Sequence, residues 1–196
     1  MIYKFITILI LVLFLGSFYS CIEKTNFTEE DLQWIVPYKE GDTLIFQEVN
    51  SLNTDTIFIV KKEISYGHYN PISSTKIMNE AHIWYKNRDI EISSNGQMKE
   101  TELISMYKNS NNKVAEPFIS YLGYFDYINE NKKKNTANIS LILTDINFEE
   151  VYVFSEKNNP TYRKDKDCYI LYWDKDYGII KYETYNGEVW ERINWN

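Results

Sequence analysis

The sequence predicts a mainly β protein. We expect a single antiparallel β domain, built as a meander that forms a sandwich or a partly open barrel, with a short N-terminal helix after a cleaved signal. Two observations favour this class most directly: the last third of the chain alternates strand-like segments with short polar connections, and Asn95-Gly96 is a strong hairpin signal because both residues tolerate positive φ. A third is that no segment after the first 20 residues has a long helical period.

Residues 1–20 have the pattern of a bacterial signal peptide. Lys4 supplies a positive charge, and the apolar run from Phe5 to Leu15 follows it. This run is shorter than the roughly 20 apolar residues that a membrane-spanning helix needs. Ser20 places a small residue directly before Cys21, so we expect cleavage between these two residues. An uncleaved signal anchor, or an ordinary secretory signal with Cys21 unmodified, is the alternative interpretation.

The end of this segment resembles the lipobox of bacterial lipoproteins, in which the cysteine after a small residue becomes the acylated first residue of the mature chain. Ser20 and Cys21 fit that pattern, whereas Phe18 and Tyr19 replace the aliphatic and small residues that are usual there. The resemblance implies diacylglycerol and palmitate on Cys21. It also implies a lipid-anchored protein of the bacterial cell envelope.

Composition limits what the mature chain can be. Its length suits one domain, and 44% hydrophobic with 16% aromatic residues is enough for a packed core. The formal charge of −7 argues against nucleic acid as a partner and against attraction to anionic membrane surfaces. Attachment to a membrane therefore depends on covalent lipid. With Cys21 committed to that lipid, Cys168 has no intrachain partner, and no disulfide framework is expected.

The mature chain divides into a tether and one β-rich globular domain. Residues 21–27 form the lipidated cysteine and tether, and residues 28–196 form the domain. Thr28 is a capping residue, and the acids at 29–31 suit the first turn of a short helix that ends before Pro37. We interpret these acids as complementing the helix dipole.

From Gly41 onward the hydrophobic period changes from helical to two. We expect a first hairpin, then a loop over 66–74, then a second hairpin across Asn95-Gly96, with the state of the aromatic segment 118–127 left open. The last third predicts an antiparallel meander of consecutive strands. The predicted strands are Thr43–Val49, Thr56–Glu63, His82–Lys86, Asp89–Ser94, Gln97–Met106, Asn138–Thr144, Phe148–Ser155, Asp167–Trp173, Ile179–Tyr185 and Glu188–Ile193.

The C-terminal part resembles small uncharacterised outer-membrane lipoproteins of gram-negative bacteria. The resemblance is carried by the run from Tyr172 to Glu183, Tyr-Trp-Asp-Lys-Asp-Tyr-Gly-Ile-Ile-Lys-Tyr-Glu, and by the segment 148–154 before it. Asn186-Gly187 and Trp190 extend it, and near the start it is matched by Trp34, Pro37, Tyr38, Gly41 and Asp42. These are packing and turn residues. The resemblance implies an outer-membrane location and a β fold, and it implies no activity.

Residues that could carry catalysis are sparse. His68 and His82 are the only histidines, and no Gly-x-Ser-x-Gly elbow surrounds a serine. Two distant histidines do not make a zinc site. Cys168 lies in an apolar strand, where a buried thiol is inert. Glu149 and Glu150 are neighbours on a predicted strand and should point to opposite faces, so they cannot flank one glycosidic bond. We expect no catalytic residue and no cofactor.

Asp174 and Asp176 are weak candidates for metal binding. Together with Gly178 they begin like a calcium loop, but Ile179 and Tyr185 stand where an EF-hand loop has glycine and glutamate. Acids in a turn between strands are commonly just solvated. We therefore predict no metal site.

Aromatic abundance is the remaining functional signal. The chain has 17 Tyr, 10 Phe and 5 Trp, and such side chains either fill a β core or line a binding groove. For any single residue, the core is the preferred interpretation. The candidates for a groove that holds a glycan, lipid or peptide are Trp34, Tyr66, Tyr69, Trp84, Tyr172, Trp190 and Trp195.

The leading functional hypothesis is a non-catalytic, lipid-anchored envelope protein that binds a ligand or partner through its β domain. A curved, partly open sheet like that of lipoprotein carriers would favour a hydrophobic ligand, and a closed sandwich would favour a protein or glycan. The alternatives are a carboxylate-dependent hydrolase and an envelope-anchored inhibitor or immunity protein. The oligomeric state stays open.

Overall fold

The structure of the protein is a computed structural model that describes residues 26–67, 69–70, 75–76, 78–87, 100–108, 114–129, 131, 134–155 and 164–195. In this part of the chain a short helix, α1 (Glu29–Leu32), precedes a series of β strands. The strands are β1 (Thr43–Glu48), β2 (Thr54–Ser65), β3 (Tyr69–Asn70), β4 (Thr75–Lys76), β5 (Asn79–Asn87), β6 (Thr101–Lys108), β7 (Phe118–Tyr121), β8 (Tyr124–Tyr127), β9 (Thr136–Ser140), β10 (Asn147–Ser155), β11 (Cys168–Asp174), β12 (Gly178–Thr184) and β13 (Val189–Arg192).

Eleven of these strands form one antiparallel sheet in the order β8-β7-β6-β5-β2-β1-β13-β12-β11-β10-β9. The sheet consists of two meanders that meet where β1 pairs with β13, with Phe46 opposite Arg192. It curls into a half-barrel, which confirms the predicted mainly β, antiparallel class, and of the two predicted forms it has the partly open barrel and not the sandwich. β3 and β4 pair separately as a small ladder.

The curled sheet has an inner face that carries the main core. Residues alternate between the two faces, as the period of two requires. In β5, for example, Ala81, Ile83 and Tyr85 are buried on the inner face, whereas His82 and Trp84 lie on the outer face. The inner-face core draws on strands from both meanders and on the residues around α1.

A second, smaller core lies on the outer face of the C-terminal meander. Leu141, Phe148, Val151 and Ile180 form it, and Trp195 packs against it. The connection between β9 and β10 folds over this face, where the Leu143 amide donates to the carboxylate of a buried glutamate, Glu191, at 2.9 Å. The strand predicted over Asn138–Thr144 is therefore wrong at its end. β9 is Thr136–Ser140, because Leu141 enters the outer-face core instead of extending the ladder.

Most other predicted elements in the described residues are confirmed, with shifted ends. The short helix begins after Thr28, and the first hairpin is β1–β2. The open segment 118–127 is a third hairpin, β7–β8, which turns at Leu122 (φ 45°) and Gly123 (φ 78°), the two positive φ values that a tight two-residue turn needs. The predicted loop over 66–74 contains β3. This strand was not predicted because two residues are too few to show an alternating hydrophobic pattern.

Several predictions fall outside the described residues. They concern the signal and Cys21, His68, the strand predicted over 89–94 and the turn at Asn95-Gly96. Strands β5 and β6 on either side of that turn do pair antiparallel, with Trp84 opposite Glu102. Among the described residues, no helix is long and apolar enough to span a membrane.

Candidate functional site

One short segment covers the inner face of the half-barrel. We call residues 27–38 the cover segment. Its apolar side chains Phe27, Trp34, Ile35 and Tyr38 are buried in the inner-face core. The segment folds locally because Thr28 and the residue three positions later form a capping box that starts α1. The half-barrel is thus closed on its open side by this segment rather than by a second sheet.

A buried ion pair fixes the cover segment to the N-terminal meander. Lys108 Nζ lies 2.5 Å from Asp31 Oδ2, and both side chains are almost fully buried. The Ala115 amide donates to Asp31 Oδ1 at 2.6 Å, and the Thr28 amide donates to Oδ2 at 2.7 Å. Each of these contacts satisfies part of a carboxylate that water does not reach. Buried charges persist only when they are paired in this way.

The surroundings of Asp31 hold its carboxylate in the charged form. Burial raises the pKa of Asp31, but the hydrogen bond from Lys108 and those from the Thr28 and Ala115 amides outweigh it, and the pKa is lowered overall. The predicted role of this acid, complementing the helix dipole, is therefore incomplete. Its main partner lies on β6, 77 residues further along the chain.

A second cation holds the other end of the cover segment. Lys62, on the inner face of β2, donates from Nζ to the carbonyl oxygens of Ile35 at 2.8 Å and Tyr38 at 2.9 Å. Burial lowers the pKa of Lys62, Asp42 opposes this effect, and Lys39 adds to it. The carbonyl groups that end the helical turns are thereby satisfied by a charged donor.

Aromatic rings connect the cover segment to the C-terminal meander. The Trp34 ring lies 5.8 Å from that of Trp173, 5.1 Å from Tyr152 and 6.2 Å from Phe154. Trp34 and Trp173 are fully buried, and among the residues that the structure describes the indole Nε1 of each has no hydrogen-bond acceptor. Two buried donors without acceptors in one aromatic cluster are unusual, because each costs roughly 1–3 kcal/mol of desolvation.

Tyr38 anchors the end of the cover segment to β12. Its hydroxyl oxygen accepts a hydrogen bond from the Ile179 amide at 3.0 Å, and its ring packs edge-on against Trp173 at 5.3 Å. Burial raises the pKa of Tyr38 far above its ordinary value. Gly178, with φ +74°, lies directly against this ring, so a side chain there would collide with it.

A buried acid forms a polar cluster elsewhere on the inner face. Asp55 accepts from the hydroxyl of Tyr182 at 2.8 Å and from the Asn87 amide group at 2.9 Å, with the Tyr121 hydroxyl at 3.5 Å. Burial and the Asp55 charge raise the pKa of Tyr182, while burial and Tyr182 raise that of Tyr121. Burial raises the pKa of Tyr85 to about 12. At neutral pH these tyrosines are therefore hydroxyl donors.

The structure does not bring the predicted groove aromatics into one site. Trp34 is buried in the inner core, and Trp190 stacks on Tyr182 near the Asp55 cluster, with ring centroids 5.8 Å apart. Tyr172 and Trp195 border the outer-face core. The others also lie apart. Trp84 is on the outer face of β5, Tyr66 is exposed at the end of β2 beside Phe27, and the Tyr69 side chain lies outside the described part.

The predicted metal candidates occupy turns. The Asp174 carboxylate accepts from the amides of Asp176 and Tyr177, an arrangement that stabilises the β11–β12 turn. The described residues contain no group of three or more His, Cys, Asp or Glu side chains that could hold a metal ion. Cys168 is buried, and its thiol donates to a backbone carbonyl.

The predicted orientation of Glu149 and Glu150, on opposite faces of a strand, is wrong. They do not alternate between faces as predicted. Both are exposed, because a β-bulge between Phe148 and Val151 places Glu150 at φ 55°. A bulge inserts one residue into the strand and breaks the period of two.

The buried charged residues of the inner face, Lys108 and Asp55, were not predicted from the sequence. Lys108 continues the inner register of Ile104 and Met106, and Asp55 begins that of Ile57 and Ile59. A charge at an apolar position of an alternating strand was the signal that could have revealed both. Comparison of the chain with protein-family models, with curated proteins and with solved structures finds no match.

Proposed function

We propose that this protein is a non-catalytic binding protein of the bacterial cell envelope, anchored through lipid on Cys21 in the outer membrane, as its resemblance implies, and that its half-barrel binds a hydrophobic chain on the inner face. The single observation that carries the proposal is the form of the closure. A curled sheet with an apolar, aromatic inner face is covered by one short segment that polar contacts hold in place. The ligand would take the position of that segment.

The inner face suits a single-chain amphiphile. Without the cover segment, the exposed surface would be built from apolar rings and aliphatic groups such as Trp173, Tyr152, Phe154 and Ile83. Hydrocarbon is the ligand chemistry that gains most from such a surface. The Nε1 of Trp173, for which the described part of the chain offers no acceptor, would provide a donor for a carboxyl or ester oxygen at the head of the chain.

The cover segment would be able to leave the inner face while the sheet stays intact, because polar contacts hold the segment and the strand ladders do not include it. Asp31, Lys108 and Lys62 join the segment to strands whose ladder bonds do not involve it. Because the segment directly follows the predicted tether, the ligand site would lie close to the bilayer. A carboxylate-dependent hydrolase is favoured less, because Asp55 is bound to Tyr182 and Asn87 in an arrangement that suits a structural acid.

Lipidation is tested with a clickable palmitate analogue in the native host. We expect the label on the wild-type chain and no label on Cys21→Ala. Cys168→Ala is the matched control, because Cys168 is buried in the core and should not affect acylation. Label that persists in Cys21→Ala would contradict the anchor.

Ligand binding is tested by loosening the cover segment with Lys62→Met. The substitution removes two hydrogen bonds from a charged donor, and a weakening of about 2 kcal/mol is expected. Because a ligand binds only the open form, this should raise the apparent affinity for palmitic acid about 30-fold. The measurement is a titration of the mature, lipidated protein with palmitic acid, followed by native mass spectrometry after release from detergent micelles.

The matched control for this titration is Ile180→Ala. This substitution destabilises the protein by creating a cavity in the outer-face core, away from the cover segment. It should leave palmitic acid binding unchanged. Equal occupancy in all three proteins, or none in any of them, would rule out the inner face as the ligand site.

A further inference from the structure

A row of side chains crosses the outer face of the N-terminal meander, opposite the proposed ligand site. His82 is paired with Ser105, Ser105 with Phe118, and Phe118 with Tyr127, so these four lie side by side on β5, β6, β7 and β8. At roughly 4.8 Å between strands, the row is about 15 Å long. Tyr107 lies in the next row, opposite Glu80.

Rings of this row and of the next row contact each other in pairs, and three of the rings on this face are about half exposed, whereas the His82 side chain is 13% exposed. His82 meets Tyr107 edge-on at 5.5 Å, and Phe118 lies 5.0 Å from Tyr127. Tyr107 is 48% exposed, Tyr127 58% and Phe125 56%. We call the surface formed by His82, Tyr107, Phe118, Phe125 and Tyr127 the aromatic patch. Contiguous exposed apolar surface rimmed by polar groups is typical of an interaction site.

Carboxylates border the aromatic patch. Glu102 Oε1 lies 2.5 Å from His82 Nδ1, and Glu80 Oε2 lies 3.7 Å from Nε2. Two lysines that the structure describes on this side are paired, Lys61 with Glu63 and Lys86 with Glu100. Burial, followed by Glu102 and Glu80, raises the pKa of Tyr107, which agrees with a negative potential at its hydroxyl.

We infer that the aromatic patch is a docking surface for a protein partner that presents arginine side chains in an extended segment. A guanidinium group forms paired hydrogen bonds with a carboxylate and stacks on an aromatic ring, and this surface offers Glu80 and Glu102 next to Tyr107 and Tyr127. Charge complementarity favours this occupant over a second copy of the same chain, whose formal charge is also −7.

The packing also favours a protein over a glycan. Sugar rings stack on the open face of a large aromatic ring, and Trp84 is the largest ring near the patch. His82 stacks on Trp84 at 5.0 Å, and Lys61 Nζ lies 4.8 Å from the centroid of the same ring. The Trp84 ring is thus already in contact with two side chains of this protein.

The test uses the mature, lipidated protein in nanodiscs of phosphatidylcholine, which carries no net charge. The probe is a fluorescent ten-residue peptide of alternating arginine and serine, and its binding is followed by anisotropy at physiological salt, with empty nanodiscs as the baseline. We expect the combined change Glu80→Gln and Glu102→Gln to weaken binding about tenfold. Tyr107→Ala should weaken it about fivefold.

Matched controls come from the other half of the chain. Glu149→Gln combined with Glu150→Gln removes two exposed acids of β10, and Tyr169→Ala removes a partly exposed tyrosine of β11. These variants should bind the peptide like wild type. Near-ultraviolet circular dichroism checks that every variant keeps its packed aromatic core.

Three outcomes would overturn the inference. The first is no binding above empty nanodiscs. The second is an equal loss in the control variants, which would show general attraction to an acidic protein. The third is that changes in the patch abolish self-association of the protein or binding of a soluble oligosaccharide instead. Because the patch faces away from the inner core, none of these results bears on palmitic acid binding.

Discussion

Asp31→Asn should lower the free energy of unfolding by about 3–5 kcal/mol, because it leaves the ammonium group of Lys108 buried without a countercharge. The cover segment would lose its attachment to β6 at the same time. The measurement is urea unfolding of the purified protein at pH 7, followed by tryptophan fluorescence. A loss smaller than about 1 kcal/mol would contradict a buried, structurally important pair.

Two comparisons isolate the ion pair. Glu29→Gln changes an exposed acid in the same helical turn and should cost at most about 1 kcal/mol, the usual size of a helix-dipole contribution. Lys108→Met should cost less in the Asp31→Asn background than in wild type, with a coupling energy of about 0.5–3 kcal/mol. Additive effects would show that the two side chains do not act together.

The ion pair of Asp31 and Lys108 should also make the free energy of unfolding depend on pH. Since the folded-state pKa of Asp31 is lowered, its carboxylate contributes stability above the pKa of the unfolded chain, about 4. That contribution is lost as the pH falls through the folded-state pKa. Unfolding free energies should therefore drop more steeply in acid for wild type than for Asp31→Asn.

Gly178→Ala should be the most damaging glycine substitution in the described chain. With φ +74°, an alanine costs about 1–2 kcal/mol in backbone strain. Its Cβ would also lie 2.5 Å from Tyr38 Cζ and closer still to the hydroxyl oxygen, which adds about 1–3 kcal/mol of overpacking. The thermal midpoint, measured by circular dichroism, should fall accordingly.

Gly41→Ala and Gly187→Ala separate the two effects. Both glycines also have positive φ, +92° and +86°, and a Cβ at either position meets nothing within 4 Å. They should show the backbone strain without the collision. If all three variants lose the same stability, the contact between Gly178 and Tyr38 does not hold the cover segment in place.

The fold class was predictable because it depends on local patterns. Alternation in segments such as 178–184 and the turn residues between strands are read from neighbours in the sequence. The failures have equally local causes. The end of β9 was misplaced because Leu141 is apolar for the outer-face core and not for the ladder. The period of two at Glu149 is broken by a bulge.

The candidate sites were not predictable, because they join distant residues. Asp31 contacts Lys108 and Asp55 contacts Tyr182, pairs that are 77 and 127 residues apart. Nothing near Asp31 in the sequence shows that it is buried, and the alternation that puts Asp55 at an apolar position does not show which residue it contacts. Composition drew attention to aromatic residues, but the order of strands decides which of them share a face, and one sequence does not give that order.

The pairing of β1 with β13 has a consequence for how the protein folds. Ile45 and Asn194 are hydrogen-bonded across 149 residues of chain, so the two meanders join only after nearly all of the described chain is available. Contacts of such long range must overcome a large loop-closure entropy before they contribute, and proteins rich in them fold in milliseconds to seconds. We therefore expect slow folding in which each meander forms early and the central seam closes last.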